Sequence, residues 1–428
     1  ASDVYKRQAL IGSGGREHSL CQKIHQSKLS KKIFCFPGNA GTAEVGENIE
    51  GDVNDFNLIK KTVLSNQISV VFVGPEDPIV NGIYDFFKKE QSLKDILIVA
   101  PGKRAAKLEG SKDFAKLFMK KNNIPTAKYS TFSKETIQQA YSFLDQMKPP
   151  YVLKADGLAA GKGVLILNNL NEAKKELDNM LLKNKFGKAS NRVVIEEFLD
   201  GIELSCFVLT NGKDYKVLPF AKDYKKIGEA DTGLNTGGMG AVSPVPFLDE
   251  KLKIKIEEKI IKPTVKGIQD ERMDYIGFIF IGLIKVKDEP YVIEYNVRMG
   301  DPETEVVFPR IKSDILDLLL ALETEKFPLL DLDIDSRVAA TVMLVSGGYP
   351  LAYEKHIPIS GLRDINQSIV FHAGTKAQDN KILTNGGRVC AITSFGETIN
   401  KATDTCYKEI QKISFKGMSF RKDIGFDL

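Results

Sequence analysis

Four stretches of this 428-residue chain combine residue types and spacings that could do chemistry. The first is Gly12-Ser-Gly-Gly-Arg-Glu-His18, directly after the apolar Ala9-Leu-Ile11. Small residues that open a helix aim backbone N–H groups and the helix dipole at an anion, and Arg16 could grip that anion with two parallel hydrogen bonds. A tight turn beside a solvated arginine has the same spacing. Gly12 and Gly14 begin the pattern G-x-G-x-x-G, but Glu17 takes the third glycine's place. The second strand ends in Phe36-Pro-Gly-Asn39, with no acid for a ribose diol, so an NAD site is not expected.

The second stretch is Lys154-Ala-Asp-Gly-Leu-Ala-Ala-Gly-Lys-Gly163. It departs from a P-loop twice: three residues separate Gly157 from Gly161, and Gly163 stands where Ser or Thr would meet magnesium. The flanks YVLKA and GVLIL are both strand-like, so the segment is either a hairpin that closes over phosphates, with Lys154 neutralising charge, or a plain surface hairpin. In the third, VIEYNVR, a period of two puts Glu294, Asn296 and Arg298 on one strand face and Ile293, Tyr295 and Val297 on the other. A carboxylate and an amide oxygen at that spacing suit a hard cation, with Arg298 facing an anion, although a polar solvent-facing strand reads the same way. The fourth, Glu196-Glu-Phe-Leu199, ends an apolar strand where an adenine and ribose could lie. The loop DTGLNTGGMGA (231–241) is too rich in glycine for a packed element and suits a backbone that approaches a ligand.

The elements that must hold these residues follow from hydrophobic periodicity. Between residues 9 and 101 strands (9–11, 32–36, 68–73, 95–99) alternate with helices (about 16–26, 55–65 and 79–89), which predicts a parallel sheet with its Gly/Pro loops on the carboxyl edge, where such sheets bind ligands. Asp3 to Gln8 is too polar for a buried strand and reads as foreign sequence, what a common sequencing-library adapter encodes when translated in frame. A helix with Phe114, Leu117 and Phe118 on its apolar face follows, then mixed strand and helix units, a helix near 251–268 and two long strands after it. From about Arg337 short β-branched strands and one helix (about 398–411) suggest a covering α+β module. The expected organisation is a parallel α/β domain (1–103), a central domain (104–329) with a mobile part near 124–190, and a C-terminal α+β domain (330–428).

Composition excludes several classes. Sixty Lys and Arg against 56 Asp and Glu, scattered over the chain, leave no nucleic-acid footprint. The longest apolar run, Ile276 to Ile284, is half of what a membrane span needs and reads as a buried strand. Five cysteines without a Cys-x-x-Cys pair fit a reduced, cytoplasmic protein, and the four histidines show neither metal nor triad spacing.

Taken in order, GGREH, PGNAGT, GPE, LEGSK, KADGLAAGKGV, IEEFLDG, NTGGMGA, GDPET, FHAGTK, TNGGRV and RKDIG resemble the glycinamide ribonucleotide synthetases (phosphoribosylamine–glycine ligases), ATP-grasp enzymes of purine synthesis. The resemblance implies ATP-dependent joining of glycine to 5-phosphoribosylamine through a glycyl phosphate. It implies an ATP site of Lys112, Lys154, Gly161, Lys162, Gly163, Glu196, Glu197, Leu199 and Glu203, and Mg²⁺ or Mn²⁺ on Glu294 and Asn296. Gly14, Gly15, Arg16, Glu17, Asn39 and Glu76 match the phosphoribosylamine loops, and Asp231, Thr232, Asn235, Gly237 and Gly238 a glycine-side loop. Lys154, Arg298 and Asp301 are the implied catalytic residues. A monomer is implied, in passing contact with the amidotransferase that makes its substrate. Lys222-Asp-Tyr-Lys-Lys226 departs from the family's usual QDHKR, which questions any role for an imidazole or guanidinium there. Another ATP-grasp ligase or carboxylase and a non-catalytic nucleotide-binding regulator are the alternatives; the N-terminal loops argue against the first, and the metal pair with Lys154 against the second.

Overall fold

A computed structural model describes residues 6–159 and 162–428, so Gly161 of the expected ATP loop lies outside the described residues. The amino-terminal part is a five-stranded parallel sheet in the order Glu47–Asn48, Ser30–Pro37, Lys6–Gly12, Val70–Val73, Leu97–Val99. Its central strand starts before the expected Ala9. Parallel pairing uses backbone groups only, so Arg7 and Gln8 pair with Lys32 and Ile33 despite their polar side chains. The buried Gln8 accepts from Ser30 Oγ at 3.0 Å and donates to Lys6 O at 2.8 Å, which satisfies both ends of its amide. The helix expected over 79–89 is two, Glu76–Asn81 and Ile83–Lys89, because Gly82 takes φ +93° between them.

The central part holds two antiparallel four-stranded sheets. One orders Tyr129–Ser133, Arg192–Glu197, Tyr151–Ala155 and Val164–Leu167, with helices Ile137–Gln146 and Leu170–Leu181 packed over a core of its own that includes Leu144, Leu153, Leu177 and Ile195. Since Arg192–Glu197 is an inner strand, this unit extends past the 190 expected for it. The other sheet orders Tyr215–Val217, Ile202–Thr210, Gly277–Val286 and Glu289–Asn296. The preceding helix Lys112–Lys121 buries Ala115, Lys116, Phe118 and Met119, while Leu117, expected on the apolar face, is 55% exposed. A buried ammonium must meet a carboxylate, and turning Lys116 inward towards Glu196 rotates Leu117 outward. The helix expected near 251–268 is continuous through a widened turn, Glu257–Ile261, between Glu250–Ile256 and Lys262–Asp270. Pro263 explains it, since proline has no N–H to donate and its ring crowds the carbonyl one turn back.

The last sheet is antiparallel and five-stranded: Lys222–Asp223, Gly240–Ser243, Val338–Val345, Arg388–Gly396, Ile369–His372. Helix Ile399–Ile410 covers it, capped by Thr398. Two of its strands come from before residue 330, so the sheet straddles the expected domain boundary. Among the described residues no helix is long and apolar enough to cross a membrane.

Candidate active site

The residues of the third motif stand where the three parts of the chain meet. Strand Glu289–Asn296 carries a bulge: Glu294 faces Gly282 while Val292 faces Leu283, which leaves Ile293 as the extra residue. The expected alternation therefore fails at Ile293, which leaves the core face held by Val292, Tyr295 and Val297. The bulge resets the phase, and Glu294, Asn296 and Arg298 share the opposite face. Burial opposes ionisation of Glu294, but Lys225, Lys112 and Lys154 hold its carboxyl below the usual range. Asn296 is buried, its Oδ1 accepting from Arg298 Nη2 at 3.2 Å and its Nδ2 without a partner among the described residues. Among the described residues no three His, Cys, Asp or Glu side chains converge as a metal cage. The pair thus fits a hard cation that keeps water or phosphate oxygens for most of its ligands, as Mg²⁺ does.

Arg298 ties this strand end to the first domain, pairing through Nη2 with Glu109 at 2.8 Å and through Nε with Glu76 at 3.3 Å. Glu109 also accepts from Val297 N at 2.8 Å. Further on, Asp301 Oδ2 accepts from the backbone N–H of Arg16 at 3.1 Å, at the start of helix Gly15–His25. Burial opposes the charge of Asp301, yet Arg388 and Arg16 keep its carboxyl below the usual range.

The opening loop sits at the carboxyl edge of the parallel sheet, as its spacing predicted, but Arg16 is not a free anion grip. Its Nε donates to Glu17 Oε1 at 2.6 Å and its Nη1 to Met299 O at 3.1 Å, so two of its donors are taken. Glu17 reaches back to Gly14 N at 2.6 Å and fills the space where Gly12 and Gly74 lack a Cβ. A pyrophosphate cannot occupy that space while Glu17 does. Asn39 is equally committed: Nδ2 donates to Ser13 O and His372 O, each at 2.8 Å, and Oδ1 accepts from Gly41 N and Thr42 N. His18 Nδ1 accepts from His372 N at 2.8 Å, so this histidine packs rather than reaching a ligand. Burial pushes it down to about 3 and His372 to about 4, which leaves both neutral.

On the nucleotide side, strands Tyr151–Ala155 and Val164–Leu167 pair antiparallel, so the glycine-rich segment joins two strands and does not open a helix. Lys154 Nζ lies 2.9 Å from Glu196 Oε2, and Lys116 Nζ 3.1 Å from Glu196 Oε1, all three side chains being buried. Burial lowers Lys116 to about 8 against the pull of Glu196. Glu197 is bonded to the backbone N–H of Lys128 at 2.9 Å, beside the exposed Phe198 and half-buried Leu199. Glu203 accepts from Lys225 at 2.8 Å. Lys112 starts its helix with its N–H on Asp156 O at 3.0 Å, which docks the helix on the hairpin; Lys162 is exposed and Gly163 buried at the hairpin's return.

The loop expected around 231–241 is partly a hairpin, Lys226–Gly228 pairing with Thr232–Asn235, because Ala230 and Asp231 take positive φ and turn the chain back. Thr232 and Asn235 are exposed on it, and Asp231 pairs with the buried Arg421 at 2.7 Å. Gly237 and Gly238 follow as a turn pressed on Asp301–Pro302, where a Cβ on Gly238 would collide with Pro302. Tyr224 is buried, donating to Asp427 at 2.8 Å; it serves the C-terminal core, not the site.

Sequence reading overlooked Glu109, Lys116, Lys225 and Arg388. Glu109 lies inside the quoted LEGSK and Arg388 inside TNGGRV, so the motifs marked the segments without marking which side chain turns inward.

Comparison with known proteins bears on the family and the order of its domains. Three family descriptions of phosphoribosylglycinamide synthetase match in order: the N domain at 7–109, the ATP-grasp (A) domain at 110–304 and the C domain at 339–427. The phosphoribosylamine–glycine ligase of Vibrio parahaemolyticus is 44% identical over 425 residues, covering 98% of each chain. That of Caldanaerobacter subterraneus is 42% identical, covering 97% of this chain and 98% of its own. The crystal structure of the Thermotoga maritima phosphoribosylamine–glycine ligase superposes with a TM-score of 0.84 at 34% identity, covering 98% of this chain and all of that one. Biotin carboxylase from Campylobacter jejuni, 14% identical with a TM-score of 0.74, shares the fold alone. On the matched domains, their order and the near-complete coverage, the chain belongs to the phosphoribosylglycinamide synthetase family.

Proposed function

We propose that this chain joins glycine to 5-phosphoribosylamine while ATP is cleaved to ADP and phosphate, by way of a glycyl phosphate. The observation that carries the reading is the segment Glu294–Asp301, which runs from a hard-oxygen pair on the nucleotide side to the helix start on the first sheet's ligand edge. Lys112 and Lys154 neutralise the ATP phosphates under the hairpin, whose loop includes Gly161, Lys162 and Gly163. Glu196, Glu197, Leu199 and Glu203 take adenine and ribose. Glu294 and Asn296 would hold Mg²⁺ or Mn²⁺, which when bound would supply charge screening at the transferred phosphoryl group. Arg298 faces the anion beside it, and the turn 231–238 closes over glycine. Gly14, Gly15, Arg16, Glu17, Asn39 and Glu76 shape the phosphoribosylamine side, with Arg16 holding Glu17 in place rather than gripping phosphate directly.

The chemistry asks for position more than for a titrating base. Glycine's carboxylate oxygen attacks the γ-phosphorus and ADP leaves. The amine of phosphoribosylamine then attacks the acyl carbon, the C–N bond forms, phosphate leaves with the C–O electrons, and the amine's proton passes to solvent. Bicarbonate chemistry, the alternative in this fold, gives the Gly14–Glu17 loop no task. We place the protein in the cytoplasm as a monomer that receives its unstable amine in passing contact with an amidotransferase. The test is ADP release: it should require glycine, and full turnover should require phosphoribosylamine as well. Release driven by bicarbonate, or independent of both substrates, would refute the reading.

A further inference from the structure

One side chain given no role in that reading touches the glycine-side turn and also Asp301, the residue that holds the head of the first helix. Arg388 begins strand Arg388–Gly396 of the C-terminal sheet, opposite Val345. Its Nη1 donates to Gly237 O and to Asp301 O, each at 2.9 Å, and its Nη2 lies 3.0 Å from Asp301 Oδ1. The approach is tight, since a Cβ on Gly237 would lie 3.0 Å from the guanidinium carbon. The same turn is held from its other side by Tyr349, whose hydroxyl accepts from Gly237 N at 2.9 Å. Asp301 passes the constraint on, because its second oxygen accepts from Arg16 N at the head of the first helix.

We propose that Arg388 is a positioning residue that couples the glycine-side turn to the phosphoribosylamine loop, directly at Gly237 and through Asp301 at Arg16. The planar fork is what the task needs. It meets a carbonyl pair and a carboxylate at fixed mutual angles, whereas lysine carries the charge as one point on a flexible stem. The cross-link also comes from the C-terminal sheet, so that sheet sets the spacing of two loops that belong to different parts of the chain. This inference rests on the functional reading above.

The experiment compares wild type, Arg388→Lys, Asp301→Asn and the double variant in steady-state kinetics, with titration of a non-hydrolysable ATP analogue. In Arg388→Lys the KM for glycine and the KM for phosphoribosylamine should rise together, by about tenfold, the loss of one charge-assisted bond. Binding of the analogue should stay within about twofold, within the scatter of such contacts. Because the effect on phosphoribosylamine travels through Asp301, the two substitutions should be non-additive for that KM and closer to additive for glycine's. A rise in one KM alone, full additivity for phosphoribosylamine, or equal weakening of the nucleotide would overturn the proposal. Amide hydrogen exchange supplies a readout that needs no turnover: peptides over 13–20 and 229–240 should exchange faster in Arg388→Lys, and one over 151–167 should not. Unchanged exchange at both loops refutes the coupling even if wild type proved inactive, and an inactive wild type with coupled exchange would count against the functional reading alone.

Discussion

Replacing Lys154 by methionine separates nucleotide binding from folding, because of how charge is balanced around Glu196. Two ammonium groups, 2.9 and 3.1 Å from its two oxygens, share one buried carboxylate, so the loss of either ammonium leaves the carboxylate paired, and Lys154 also faces Glu294 and Glu203. Lys154→Met leaves Glu196 still paired with Lys116, and methionine keeps most of the lysine's apolar stem. The apo protein should therefore lose only about 1–2 kcal/mol, less than the ~3–5 kcal/mol of a buried pair broken outright. The nucleotide loses a charge-assisted contact worth about 1.5–3 kcal/mol, a ten- to hundredfold rise in Kd. In unfolding experiments, ATP at a hundred times the wild-type Kd stabilises by about 2.7 kcal/mol; a hundredfold weaker variant at the same concentration gains only about 0.4 kcal/mol. Glu196→Gln makes the opposite change, leaving two buried lysines without the one carboxylate in direct contact with both. It should cost the apo protein about 3–5 kcal/mol, partly relieved as Lys116 sheds the proton that burial already loosens. The measurement is urea unfolding of each variant with and without ATP. If Lys154→Met loses as much apo stability as Glu196→Gln and still binds ATP within about threefold of wild type, the charge argument is wrong.

Three further outcomes are expected. Glu294→Gln should cut turnover at limiting Mg²⁺ by about a hundredfold or more, with the deficit shrinking as Mg²⁺ is raised, since several kcal/mol of transition-state stabilisation depend on the cation; full activity at limiting Mg²⁺ removes Glu294 from the ligand set. Glu305 is fully buried, both oxygens lack a partner among the described residues, and burial, with Asp301 nearby, pushes its carboxyl well above the usual range. The folded protein then holds a proton that the unfolded chain releases above its ordinary carboxylate range, so stability is lost as pH rises from there towards the folded value. Glu305→Gln should thus gain on wild type between pH 5 and pH 8 in urea unfolding, and an advantage that does not change with pH would show the carboxyl to be ionised in the fold. Gln8→Val should raise the unfolding free energy in urea by an amount on the order of 1 kcal/mol, because a β-branched side chain suits this buried strand and Ser30 and Lys6 O can turn to water; a lowered unfolding free energy would mean that the amide's two bonds matter more.

The first sheet was legible because strands buried on both faces read as unbroken apolar runs and each ends in a Gly/Pro loop. The two-residue edge strand Glu47–Asn48 was not, since two polar residues at an edge carry no pattern. Periodicity misplaced Leu117 and Ile293 for a common reason: a buried ion pair in one case and an extra residue in the other shifts the phase that a regular repeat assumes. At the site, Glu294, Asn296, Arg298 and Asp301 lie on one strand end and the segment that follows it. What the motifs could not convey is which of them bind each other. Arg16 and Asn39 look like ligand-facing groups in sequence and spend their hydrogen bonds on Glu17, Met299, Ser13 and His372. Arg388 meets Asp301 across 87 residues of chain, and no local spacing signals a contact of that range.

The sheet that straddles residue 330 has a consequence for the chain as it is made. Strand Gly240–Ser243 lies between Lys222–Asp223 and Val338–Val345, and its longer partner is synthesised roughly a hundred residues later. At about 5–20 residues per second, a ribosome needs on the order of 5–20 s to cover that interval. For that time Gly240–Ser243 presents an unpaired edge, and the apolar Met239 and Val242, fully buried at the end, lack the partners Met343, Ala340 and Val342 that complete their clusters. A nascent chain halted near Asp335 should be cut by protease within 238–243, which is buried in the finished protein. The central part of the molecule thus waits on the last part to be finished, and a chaperone that shields an open strand edge would act in that interval.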